Sequence, residues 1–163
     1  MRVGALLVMA VVTAASRAVA ADLNYDELIP LDAEALAETG LKAAYEELLP
    51  RLKKYVASPA PVSERIDHDA PSYAVTCLGT EYPIYAEGDE DESWGRATFA
   101  LFDIVNRQLA KTPYRFFAVN GGNDLGGMFL TPAQAEAAKQ SLPRKQDWPY
   151  LPNASKPWYG QYH

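Results

Sequence analysis

The chain has little that would carry familiar chemistry. It holds one cysteine, Cys77, and two histidines, His68 and His163. A single thiol excludes an intramolecular disulfide, so packing and hydrogen bonds must hold the fold. Neither histidine sits in an H-E-x-x-H setting, which leaves no spacing motif for zinc. Basic charge is scarce as well: 15 Lys and Arg face 21 Asp and Glu, a net charge of −6. Nucleic-acid binding needs cations to neutralise phosphates, so that class is excluded. The same deficit suits a basic protein partner, because opposite potentials steer association.

Long apolar runs are confined to the start. Arg2 precedes residues 3–15, VGALLVMAVVTAA, and Ala18-Val19-Ala20 follows as an A-x-A site. This is the pattern of a secretory signal peptide over 1–20, too short to span a bilayer as a mature helix. The expected mature chain, 21–163, is one domain with room for a real core. Without Arg2 and Arg17 it carries 13 basic against 21 acidic residues, a net −8. Its expected home is the periplasm, or the exterior, with no membrane contact after cleavage. A homodimer is left open.

Residues 32–56 have helical periodicity, with Leu41, Tyr45, Leu48, Leu52 and Val56 recurring at spacings of three and four. Asp32 is a fitting N-cap. Gly40 predicts a break, and Pro50 a kink or restart. Residues 58–71, SPAPVSERIDHDAP, read as a surface loop. SYAVTCLG (72–79) and TEYPIYAE (80–87) read as paired strands, the second carrying Pro83. The strongest helix is 93–112, with a stripe of Trp94, Ala97, Leu101, Ile104, Val105 and Gln108. YRFFAV (114–119) and GMFLT (127–131) are strands around a glycine loop. Thr131-Pro132 opens a last helix running to Leu142. The aromatic, proline-rich tail from 143 to 163 should pack on the domain at least through Tyr150, with a looser far end. The expected fold is α+β: an antiparallel sheet of about four strands packed with N-terminal, central and C-terminal helices.

The loop NGGNDLGG (120–127) resembles a phosphate cradle and fails as one. A phosphate loop needs lysine after GxxxxG, and Gly127 or Met128 stands there. The dinucleotide pattern fails because Asn123 replaces its second glycine. A strand follows, so no helix N-terminus faces the loop. Asn and Asp here tolerate positive φ and make turns, so the segment reads either as a plain hairpin connection or as a contact tip. The acidic run 87–92 fails the calcium-loop pattern, with Trp94 and Ala100 where glycine and glutamate belong. It reads as acids gathered before a helix N-terminus or as a docking patch. His68 with Cys77 could form a nucleophilic pair, although no third orienting residue is apparent. Cys77 in an apolar strand is more simply a core thiol.

No catalytic residue, cofactor or metal ligand set emerges. The partner-contact residues read from the sequence are Gly122, Asn123, Asp124 and Leu125 in the glycine loop, and Asp89, Glu90 and Asp91 in the acidic loop. In size, export signal, acidity and lack of catalytic residues, the chain resembles the periplasmic immunity proteins that protect bacteria from cell-wall amidase effectors of the type VI secretion system. That resemblance implies an inhibitor that occludes a partner enzyme, with a basic secreted hydrolase as the partner. The alternatives are an enzyme using His68 and Cys77, and a structural or assembly factor of the envelope.

Overall fold

The computed structural model describes residues 22–163; the leader expected over 1–20 lies outside them. Among the described residues, four α-helices and six strands form a mixed α+β fold: β1 (Ile29–Pro30), α1 (Ala33–Glu38), α2 (Leu41–Leu52), β2 (Ser63–Asp67), β3 (Ser72–Cys77), β4 (Thr80–Ala86), α3 (Ser93–Gln108), β5 (Arg115–Val119), β6 (Gly126–Leu130) and α4 (Pro132–Ser141). The strands make two antiparallel sheets, ordered β1-β6-β5 and β2-β3-β4, where one sheet of about four strands was expected. Both predicted hairpins are present, but each nucleates its own sheet. Each gains a strand with no apolar alternation. β1 has only two residues. β2 reads SERID, and three of its five residues are exposed, which is why it looked like loop.

The central helix α3 organises the core. Ala97, Ala100, Leu101, Phe102, Ile104 and Val105 are buried and pack with Leu41, Tyr45, Leu48, Val75, Ile84 and Phe116. Phe102 stacks on Phe116 with ring centroids 4.6 Å apart. Asn106 clasps β5 by donating Nδ2–H to the Phe116 carbonyl at 2.9 Å and accepting the Phe116 N–H at 2.7 Å. The other face of β5 and β6 meets α4 in a second cluster of Phe117, Val119, Met128, Leu130, Ala135 and Ala138. Both faces of that sheet are therefore covered, which explains its nearly continuous apolar strands.

Helix ends follow local chemistry where they can. The Asp32 carboxylate accepts from Ala35 N–H, and Thr131 with Gln134 forms a reciprocal capping box. The start of α2 is different. Gly40 has φ +123° and offers no cap. Tyr73 Oη instead accepts from Leu41 N–H at 2.7 Å, and Glu64 Oε2 accepts from Lys42 N–H at 3.0 Å and from Tyr73 O–H at 2.9 Å. The second sheet thus caps the helix from across the core. Pro50 neither breaks nor restarts α2, which runs on to Leu52. Among the described residues, no helix is long and apolar enough to cross a membrane.

Candidate functional site

The glycine loop begins at Asn120, which takes φ +58°, and turns through a short 3-10 segment, Gly122–Asp124. Gly122 has φ +60°, with open space around the place of a Cβ. Asn123 and Asp124 are exposed at the tip, and Asn123 Nδ2–H donates to Glu34 Oε2 at 3.1 Å. Leu125 is a correction. It is 1% exposed, and its carbonyl accepts from Leu31 N–H at 2.7 Å. It anchors the loop to the core beside β1 and cannot meet a partner.

The acidic loop is internally braced. Asp89 accepts from Arg96 Nη1–H at 2.5 Å, and that bond, ahead of other causes, holds the Asp89 carboxyl below its ordinary range. Arg96 also donates to the Asp89 carbonyl. Glu90 accepts from Gly88 N–H at 3.0 Å. Asp91 is exposed.

The tail packs across the domain as far as Tyr159, which is buried, while Trp158 is half exposed. Tyr150 pairs with Ala118 at the free edge of β5 and donates its hydroxyl to the Asn120 carbonyl at 2.9 Å. Burial pushes the Tyr150 phenol up to about 12. Tyr159 is 5% exposed and lies against Gly95, where a Cβ would fall 2.2 Å from its ring. Its hydroxyl is buried without a partner in hydrogen-bonding geometry, though it feels the neighbouring Glu92 carboxylate. Burial first, and then Glu92, raise this phenol to about 12. Gln161 lies over Gly121. Missing side chains thus create both contact points, a signal in Gly95 and Gly121 that only becomes legible once the tail is placed.

The result is one continuous face. A cleft of about 220 Å³ is lined by Trp94, Gly95 and Thr98 of α3, Gly121 and Gly122, Ala33, and Tyr150, Pro157, Trp158, Tyr159 and Gln161 of the tail. Trp94 and Trp158 stand 39% and 50% exposed. Trp94 was expected on the buried stripe. It occupies the first turn of α3, and Ala33, Gly121 and Gly122 across the cleft have too little side chain to cover it. His163 stacks on Trp158 at 4.3 Å. A neighbouring groove of about 400 Å³ lies beyond Tyr159, between β4, α3 and Lys156. A larger hollow, of about 530 Å³, runs between β1 and the α1–α2 pair and includes none of the predicted contact residues.

The structure keeps His68 and Cys77 apart. His68 is exposed in the turn before β3, while Cys77 is buried at the opposite end of that strand. The five steps from Ser72 to Cys77 span roughly 17 Å at strand rise. Burial, the leading cause, pushes the Cys77 thiol up, away from the reactive thiolate. The pair is not assembled. No protein-family model, curated protein or solved structure matches this chain.

Proposed function

We propose that the protein is an exported binding protein that docks on a basic protein partner and blocks its working surface sterically. One observation carries this reading: three segments distant in sequence converge on one face that pairs half-exposed tryptophans with an acidic border. Protein interfaces are enriched in aromatic anchors, and tryptophan is prominent among residues that dominate binding energy. Charge on the border governs how fast the partner arrives, while the aromatics govern how long it stays. The partner class that fits best is a basic secreted hydrolase, in keeping with the resemblance to immunity proteins against cell-wall amidases.

The face is rigid where it needs to be. Leu125 fixes the base of the glycine loop, Arg96 fixes the acidic loop, and Tyr159 fixes the tail. A preordered surface loses less entropy on docking. The test is affinity capture from envelope extract with the wild-type chain and with a variant carrying Asp91→Lys, Asp124→Lys and Trp158→Ala. A basic hydrolase retained by the wild type, inhibited by it, and released by the variant supports the proposal. Equal capture and equal inhibition by both chains refute it.

A further inference from the structure

We infer that the cleft between Trp94 and Trp158 is an arginine socket: it takes one guanidinium side chain projecting from the partner. The inference rests on reading this face as the partner-binding surface. Its first support is what lines the cleft. Trp94, Trp158, Tyr150 and Tyr159 supply aromatic surface, and no lysine, arginine or histidine lines it. Aromatic faces carry the negative part of the ring quadrupole and attract cations, tryptophan most strongly. Exposing two tryptophans to water is costly unless something covers them.

The second support is the charge around the rim. Glu34 and Asp124 lie within two residues of the lining residues Ala33 and Gly122, and Glu92 and Asp89 both act on the Tyr159 phenol, against Arg96 and Lys156, with His163 stacked on Trp158. Arg96 is already engaged by Asp89. The N-terminus of α3 opens here, and its dipole alone would favour an anion. That dipole amounts to about half a charge, which the surplus of carboxylates outweighs. The balance selects a cation.

The third support is shape. Ala33, Gly95, Gly121 and Gly122 leave a slot with small walls, and Gly122 borders open space. Gln161 brings an amide to the same slot, offering an acceptor to a guanidinium that has five N–H donors and no acceptor. A planar, weakly hydrated guanidinium stacks on aromatic rings better than a compact ammonium does.

The probe is N-acetyl-arginine amide, with N-acetyl-citrulline amide as its uncharged isostere. Each is titrated into the full chain at low ionic strength while the tryptophan indole N–H resonances are followed. The arginine probe should shift Trp94 and Trp158 saturably and bind at least about five-fold tighter than citrulline, the span expected for a partly exposed cation–π contact. Trp94→Ala and Trp158→Ala should each weaken it by a similar factor with unchanged circular dichroism. Equal binding of the two probes would make this a cleft for a neutral ligand and overturn the inference. Absence of a saturable shift would also overturn it. If a variant fails to fold, the two-probe comparison on the wild type still decides. Saturable arginine binding with no protein partner captured leaves the socket standing and removes the inhibitor reading. A captured partner without arginine preference removes the socket alone.

Discussion

Gly95→Ala tests how the tail packs on α3 through Tyr159. Gly95 is the third residue of α3, and an alanine Cβ there would fall 2.2 Å from Tyr159 Cδ2 and 2.3 Å from Cε2. Real atoms do not approach so closely, so the ring must leave. It cannot simply slide, because the Tyr159 N–H donates to the Ser155 carbonyl at 2.8 Å and its own carbonyl accepts from Asn153 N–H at 2.9 Å. Two effects oppose each other. Replacing glycine within a helix stabilises by about 0.5–1 kcal/mol. Losing the buried aromatic ring costs about 2–3 kcal/mol. Tyr159 belongs to neither hydrophobic cluster, so the two terms act on different parts of the molecule. The helix term raises the melting temperature of the domain by about 1–3 °C. The ring term lowers the local stability of the tail, which accelerates amide exchange at Asn153 and Tyr159 by roughly 30- to 150-fold. Hydrogen exchange by mass spectrometry on peptides covering 150–163 reads the second effect, and calorimetry reads the first. Unchanged protection of those amides alongside a higher melting temperature would refute the packing of Tyr159 on Gly95.

Other perturbations address the core and the titrating groups. Glu64→Gln weakens the remote cap of α2, and a loss of about 1 kcal/mol in urea unfolding is expected because a charged acceptor becomes a neutral one. Gly40→Ala should cost more, since it combines the φ of +123° with a Cβ 2.9 Å from Glu64 Oε1; chemical denaturation ranks the two. Asn106→Ala leaves both the N–H and the carbonyl of Phe116 without their side-chain partner, and about 2–4 kcal/mol should be lost in the same assay. Tyr73, Tyr150 and Tyr159 are held protonated beyond the ordinary value of 10, chiefly by burial. Their folded values are raised, so the stability they contribute is complete below pH 10 and falls as pH rises from there toward the folded values. Absorbance at 295 nm should therefore show these phenols ionising late, together with unfolding; early, reversible ionisation of every tyrosine would contradict their burial.

Much of the architecture is local and could be read along the chain. The periodicity of α3, the capping chemistry of Asp32 and Thr131, the helix break at Gly40 and both hairpins depend on neighbours a few residues apart. Charge is equally local, and the excess of acid over base is a property of composition. What escaped was decided by contacts over long sequence separations. β2 carries no apolar alternation, and pairing with β3 makes it a strand. Leu125 looked like a loop tip and became a core residue when β1 packed beside it. Trp94 fitted the buried stripe, yet the small residues opposite leave it half open. The acidic loop, the glycine loop and the aromatic tail each stood out as composition, but nothing in their order shows that they meet. Gly95 and Gly121 make that meeting physical, because a side chain missing at one point of the chain is a space that only a distant segment can fill.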